Sequence, residues 1–208
     1  MLKTEEKYKE DKPEIILNAA QKRFSIYGVE KTSMREIADD VNMSKASLYY
    51  YFPDKESLYL KVIEKEQSEF LKSIMEDIRV ISDPVECLRK YAIKRLSYFR
   101  TLLNLGRLKV VEIYGLKPVL ASTLNRFSEE ERKLVARILD SGRQSGQFVI
   151  QDIHKTAVLF LDLLKGLRSG FMTNREITVI NDSEYGVLCD KVADITDIFI
   201  KGLMYNAL

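Results

Sequence analysis

Apolar residues recur at helical spacing through most of the chain, and short polar stretches containing glycine or proline separate these segments. Ile16, Phe24 and Tyr27 share one side of a first helix that ends at Gly28. From Lys55 to about residue 81, a longer apolar periodicity indicates a second major helix. The pattern predicts an all-α fold of about nine helices.

The segments after this long helix are defined by the same periodicity. Helices are predicted over residues 85–105 and 108–114, and residues 118–127 form the next segment. Ser128 can cap a further helix that ends between Gly142 and Gly146. The last two helices are predicted over residues 153–171 and 183–206.

Between the first and the long helix, the stretch TSMREIADDVNMSKASLYYYFPDK predicts two short helices joined by a tight turn. Ser33 and Glu36 have the spacing of a capping box at the start of the first short helix. Asn42 can adopt the left-handed conformation that ends a helix, and Ser44 can cap the next one. Pro53 stops that second helix. This is a helix-turn-helix pattern, in which the second helix enters the DNA major groove.

Composition is that of an ordinary globular protein, with 46% hydrophobic and 31% charged residues. No apolar run reaches the ~18 residues of a membrane span, and the charged N-terminus does not resemble a signal peptide. We therefore expect a cytoplasmic protein with no membrane partner. Cys87 and Cys189 are isolated, so we interpret them as reduced apolar residues.

The charge balance gives little support to nucleic-acid binding. The net charge is +2, and between residues 32 and 55 acids outnumber bases. The bases are Arg35, Lys45 and Lys55, and the acids are Glu36, Asp39, Asp40 and Asp54. A strongly basic domain would be expected if bulk electrostatics drove DNA binding. The prediction of DNA binding therefore depends on how the residues are arranged.

Catalytic and cofactor-binding patterns are absent from the sequence. His154 is the only histidine, which argues against histidine-based metal sites and catalytic triads. Neither GxxxxGK[ST] nor GxGxxG occurs. The acids of residues 129–131 are interpreted as a solvated helix face. We expect no cofactor, no metal and no enzymatic activity.

The ordered features of residues 16–63 resemble a known family. The run ILNAAQKRFSIYGVEKTSMREIADDVNMSKASLYYYFPDKESLYLKVI is similar to the DNA-binding domain of TetR-family transcriptional regulators. The resemblance covers roughly a quarter of the chain. It implies an N-terminal three-helix, helix-turn-helix DNA-binding domain over residues 1–55. A C-terminal helical ligand-binding and dimerisation domain would then cover residues 56–208.

The resemblance also implies which residues contact DNA. Positions that hold phosphates in the family are matched by Ser33, Tyr50, Tyr51 and Lys55. Positions that meet base edges are matched by Arg35, Lys45, Ala46, Ser47 and Tyr49, with Ser44 between the two roles. Side-chain chemistry agrees with this division, because Lys45 can donate to guanine and Ala46 admits a close thymine methyl. Tyr51, next to the apolar Phe52, could equally be a packing residue.

The last two predicted helices are apolar on more than one side, so each needs two packing partners. In a TetR-like chain, the second partner would be the same two helices of another subunit. The predicted homodimer interface consists of Phe160, Leu164, Leu167, Phe171, Leu188, Val192, Ile195 and Phe199. The alternative is a monomer in which these residues form one helical core.

A family member of this type would be a repressor that binds a palindromic, double-stranded DNA operator and is released by a small effector. Candidate residues for an apolar effector cavity are Tyr91, Phe99, Tyr114, Phe127 and Leu163, each of which could instead be simple core. Such a cavity would suit an apolar or amphipathic effector. The alternative function is a nucleoid or assembly protein of the same fold with a protein partner. An all-helical enzyme would need a titratable cluster that the sequence lacks.

Overall fold

A computed structural model describes residues 11–106, 118–173 and 181–204. Its helices, numbered in chain order, are α1 Lys12–Tyr27, α2 Met34–Asp40, α3 Lys45–Tyr51, α4 Lys55–Arg79, α5 Pro84–Gly106, α6 Pro118–Gln144, α7 Ile153–Thr173 and α8 Asp182–Met204. Every regular element among the described residues is helical, which confirms the predicted all-α fold. The eight described helices are close to the predicted nine, and the helix predicted over 108–114 lies outside the described residues.

The described chain forms two compact units, and it passes from the first to the second within α4. The first unit comprises the described residues up to Glu66 together with residues 102–106, and the second comprises Gln67–Thr101 and the described residues after 117. The boundary between residues 55 and 56 stays a prediction; it lies in the first turn of α4, whereas the first compact unit continues to Glu66.

The first unit is held together by an apolar core to which α1, α2, α3 and the start of α4 contribute. Ile16, Phe24, Ile37 and Leu48 are fully buried there, with Leu58 and Val62 from the start of α4. The Phe24 and Tyr59 rings meet edge to face, with centroids 5.5 Å apart. Burying each large apolar side chain stabilises the unit by roughly 1.5–3 kcal/mol. Helices α1, α2 and α3 therefore depend on one shared core.

Helix α6 is continuous where the sequence predicted a new helix at Ser128. Ser and Glu favour a helix start, but both can also occupy a helix interior when packing requires it. Phe127 and Glu131 lie about one turn apart, and both are buried in the second unit. Continuous helix keeps the two residues on the same inner face. The interpretation of Glu131 as part of a solvated face was wrong.

Glu131 is buried because two side chains of α5 bind its carboxylate. Arg95 donates through Nε to Oε1 and through Nη2 to Oε2, the latter at 3.1 Å. The Tyr91 hydroxyl also donates to Oε1, at 2.6 Å. Burial lowers the pKa of Arg95, but the adjoining Glu131 carboxylate raises it by more, so the pKa of Arg95 lies above its usual value. The Arg95 guanidinium therefore remains charged inside an apolar unit.

Removing one member of this pair should strongly destabilise the second unit. Arg95→Met leaves the Glu131 carboxylate buried without its cation, which typically costs about 3–5 kcal/mol. We expect a loss of that size in urea denaturation at fixed protein concentration. Arg132→Met is the control, because Arg132 is an exposed cation on the same helix as Glu131.

The double variant Arg95→Met/Glu131→Gln should recover much of the lost stability, since it removes the uncompensated charge as well. If the single and double variants were equally unstable, the loss would reflect side-chain packing and not the buried charge.

Candidate functional site

The start of α2 is capped by the predicted pair of residues. The Ser33 Oγ accepts a hydrogen bond from the Glu36 amide at 3.2 Å, and the Glu36 carboxylate accepts from the Ser33 amide at 2.8 Å. This reciprocal arrangement is the capping box that the sequence predicted. The hydrogen bonds from Ser33 lower the pKa of Glu36. Arg35, in the first turn of α2, points its side chain to solvent and has no ion pair among the described residues.

A single left-handed residue makes the turn between α2 and α3. Asn42 has φ of 52°, a conformation that asparagine tolerates better than most residues. The Met43 amide then donates back to the Ala38 carbonyl at 2.9 Å, which closes the turn. Ser44 caps α3 by accepting from the Ser47 amide at 3.1 Å. The two short helices are therefore joined by the turn that the sequence predicted.

Helix α3 has one buried and one exposed face. Leu48 is fully buried, and Phe52, directly after the helix, is buried beside it. The opposite face presents Lys45, Ala46, Ser47, Tyr49 and Tyr50 to solvent, and the Tyr50 side chain is 83% exposed. The Lys45 Nζ lies 5.5 Å from the centroid of the Tyr49 ring. This face combines a cation, a small residue and hydroxyl groups, which is chemistry suited to base edges and phosphates.

Tyr51 is half-buried and packs against the apolar core, with its ring edge to face with Tyr50 at 5.2 Å. It also lines a cleft of about 340 Å³ beside α3. The other residues of the cleft are Lys12, Met43, Ala46, Ser47 and Tyr50. Tyr51 thus packs against the core and also lines the surface cleft. From the sequence, Lys12 is interpreted as part of a charged, solvated N-terminal arm, with contact to a phosphate backbone as the alternative.

The Lys55 ammonium binds backbone carbonyls of its own unit and does not extend toward a ligand. Its Nζ donates to the carbonyl oxygens of Val29 at 2.8 Å, Thr32 at 3.0 Å and Glu30 at 3.3 Å. A lysine ammonium has three N–H donors, so all three are used within the first unit. The side chain ties the start of α4 to the loop between α1 and α2.

Two of the acids near the helix-turn-helix pair with a cation on α1. Asp40 accepts two hydrogen bonds from the Arg23 guanidinium, and Glu36 lies 3.5 Å from the same group. The hydrogen bond from Arg23 lowers the pKa of Asp40. Asp54 accepts from the Ser57 amide at 2.6 Å at the start of α4. Much of the negative charge in this region is therefore locally compensated.

The residues predicted to line an effector cavity do not all lie together. Tyr91 and Phe127 are buried in the second unit, where their ring centroids lie 6.3 Å and 5.9 Å from the centroid of the Phe70 ring. Leu163 is 41% exposed on α7, so it lies at the surface and does not line an interior cavity. The side chain of Phe99 and the whole of Tyr114 lie outside the described residues.

The predicted dimer residues divide between the interior and the edge of the second unit. Those buried in the chain's own core are Phe160, Leu164, Leu188 and Val192, whereas Leu167, Phe171, Ile195 and Phe199 are half-buried. Phe160 and Phe199 pack on each other, with ring centroids 4.9 Å apart. The four buried residues are unavailable for direct contact with another subunit, because α7 and α8 turn these side chains toward their own unit.

A different set of apolar residues forms the outer face of the last two helices. Leu159 and Leu163 are exposed one turn apart on α7, and Val187 and Ile198 are exposed on α8. Gly166 and Gly170 continue the line of Leu159 and Leu163, and nothing lies within 4 Å of the position that a Cβ would occupy on either glycine. We call these six residues the outer α7–α8 face.

Within the described residues, no group of three potential metal-ligating side chains is assembled. None of the described helices has both the length and the apolar character needed to cross a membrane. His154 lies exposed near the start of α7.

Comparisons with known proteins agree with this geometry. Residues 16–62 match the family model described as bacterial regulatory proteins, tetR family. The Escherichia coli HTH-type transcriptional regulator RutR is 30% identical over 139 residues, an alignment that covers 64% of this chain and 64% of RutR. This chain therefore aligns with slightly less than two thirds of that relative.

Solved structures extend the likeness to nearly the whole chain. A transcriptional regulator from Cytophaga hutchinsonii is 39% identical, with a TM-score of 0.87, and the match covers 93% of this chain and 99% of the other. A protein from Saccharomonospora viridis, solved in complex with choline, has a TM-score of 0.68 at 16% identity over 94% and 98% of the two chains, which shows a shared fold. The sequence match at the helix-turn-helix and the near-complete structural match lead to one conclusion: the chain belongs to the TetR family of bacterial regulatory proteins.

Proposed function

We propose that the protein is a transcriptional repressor that binds a palindromic operator as a homodimer and is released by a small-molecule effector. The observation that carries the proposal is the exposed face of α3, which is anchored by Leu48 and displays Lys45, Ala46 and Tyr49 outward. In such a dimer, two recognition helices would enter major grooves about one helical turn of DNA apart. The protein would act in the cytoplasm, where bacterial DNA lies.

The DNA-contacting residues in this proposal are Ser33, Arg35, Ser44, Lys45, Ala46, Ser47, Tyr49, Tyr50 and Tyr51. Lys55 is assigned another role, because its three donors already bind loop carbonyls. It holds the loop that precedes Ser33, and so it positions the start of α2. Its influence on DNA binding is then indirect.

The homodimer is proposed to form through the outer α7–α8 face. Helix-interior glycine costs roughly 1 kcal/mol relative to alanine, and no neighbour within the described chain requires Gly166 or Gly170. Close approach by a second subunit would explain both glycines. Leu159, Leu163 and Ile198 would lose their contact with water in the same interface.

The effector is proposed to bind in the second unit, among the aromatic rings around Phe70. Phe70 lies 4.7 Å from Tyr98 and 5.9 Å from Phe127, measured between ring centroids. An apolar or amphipathic molecule suits such surroundings, and the Saccharomonospora viridis protein of the same fold, solved in complex with choline, supports the proposal of a small effector. To release DNA, the effector must bind the DNA-incompetent conformation more tightly than the competent one.

Selection of DNA by the purified protein tests the proposed function. Duplex fragments retained from a random library should be enriched in one inverted repeat, and some member of a metabolite library should reduce retention. Recovery of fragments without a common sequence would instead favour a nucleoid protein of the same fold.

Lys45→Ala should change which DNA is retained. Loss of a base-reading lysine is expected to cost ~1–3 kcal/mol at particular base pairs and to relax the preference there. Lys72→Ala, on the exposed surface of α4, should leave the selected sequence unchanged. If Lys45→Ala weakened all sequences equally, its role as a base reader would be wrong.

Lys55→Met should lower the stability of the first unit. The variant loses three hydrogen bonds from a charged donor, and we expect about 1–3 kcal/mol of destabilisation in thermal or urea unfolding. Lys61→Met is the matched control on the same helix, since Lys61 is exposed and pairs with Glu64 across one turn. Unchanged stability together with weakened DNA binding would restore Lys55 as a phosphate contact.

Leu163→Asp combined with Ile198→Asp should produce monomers. Each substitution places a carboxylate where an apolar side chain would be buried, and Ile198 is 64% exposed in the single chain, so folding should survive. Light scattering measures the mass, and affinity for the selected operator should fall in parallel. Met75→Asp, at an exposed apolar position on α4, serves as the control. A double variant that stays dimeric places the interface elsewhere.

A further inference from the structure

The cleft beside α3 contains a cation that none of the assigned roles uses. Lys12 is the first residue of α1, and its side chain lines the cleft together with Ser47, Tyr50 and Tyr51. It is exposed, and it makes no hydrogen bond or ion pair with any residue that the structure describes. The cleft thus brings a lysine from one helix to the exposed face of another.

Phosphate contacts need cations and hydrogen-bond donors that are not already occupied. Two other cations of this region, Lys55 and Arg23, are limited in that respect. Lys55 uses its donors on three carbonyls, and Arg23 binds Asp40 and Glu36. Lys12 has no such commitment within the described residues. Hydroxyl-bearing residues of α3 line the same cleft and can donate to the same oxygen atoms.

We infer that the cleft receives a phosphate of the DNA backbone, with Lys12 supplying the positive charge and Ser47 and Tyr50 lining the phosphate site. The inference rests on the proposed DNA binding, and it adds a contact from α1 to those of α2 and α3. A helix in the major groove has a phosphate backbone on either side of it, so a cation on a neighbouring helix meets phosphates and not base edges. Lys12 therefore contributes affinity and orientation without reading sequence.

The salt dependence of DNA binding tests the assignment. Lys12→Gln removes the charge at an exposed position, and Lys12→Arg keeps it. Lys22→Gln is the control, because Lys22 is an exposed lysine on the same helix that does not line the cleft. Binding is measured by fluorescence anisotropy over a range of salt concentrations. One probe is a random-sequence duplex, and the other is the operator fragment recovered by selection.

Neutralising one phosphate contact lowers the slope of log affinity against log salt by about 0.9, so a fourfold rise in salt should weaken Lys12→Gln about 3.5-fold less than the original chain. Both probes should lose affinity by the same factor at low salt. Lys12→Arg should retain the original slope, and Lys22→Gln should match the original chain.

An unchanged slope of log affinity against log salt in Lys12→Gln overturns the assignment. A loss confined to the operator probe also overturns it, because that result would make Lys12 a base reader. If the original chain binds neither duplex, the proposed function itself fails, and the two failures are therefore distinguishable.

Discussion

The exposed face of α3 depends on the burial of Leu48 and Phe52, because α3 has only seven residues. Helices this short are unstable in water on their own, since nucleation is unfavourable and few hydrogen bonds follow it. Anchoring one face in the core of the first unit holds the helix and directs the opposite face to solvent. Ser44 adds a cap, and the left-handed Asn42 sets the turn before it. The arrangement of side chains that could meet DNA is a consequence of this packing.

In this domain, the pairing of charged residues with one another matters more than their total number. The chain carries a net charge of +2, and the helix-turn-helix segment contains more acids than bases. Internal pairing changes how those charges act, because Arg23 engages Asp40 and the Ser33 cap engages Glu36. Lys55 is similarly committed to loop carbonyls. The charge that remains available for a partner is therefore much smaller than the number of charged residues suggests, and it is concentrated at a few positions.

The second unit departs twice from the usual distribution of side chains, because it buries a charged pair and exposes several apolar residues. Arg95 and Glu131 are buried together, so each compensates the desolvation of the other. Apolar side chains such as Leu159 and Leu163 are instead exposed, beside two glycines whose lack of a side chain has no explanation within a single chain. The buried pair constrains how α5 and α6 pack. The exposed face is the surface through which we propose that two subunits pair.

The sequence by itself determined the all-α class, the helix-turn-helix and its caps, because these depend on interactions within about one helical turn. Ser33 with Glu36, the cap at Ser44 and the turn at Asn42 are all local. Only the tertiary structure decided which face of α7 points inward, since Phe160 and Leu163 are equally apolar and local energies do not distinguish them. It likewise decided the partners of Lys55 and Glu131, which are joined to residues 23 to 40 positions away. Contacts of that range depend on how separate helices pack together.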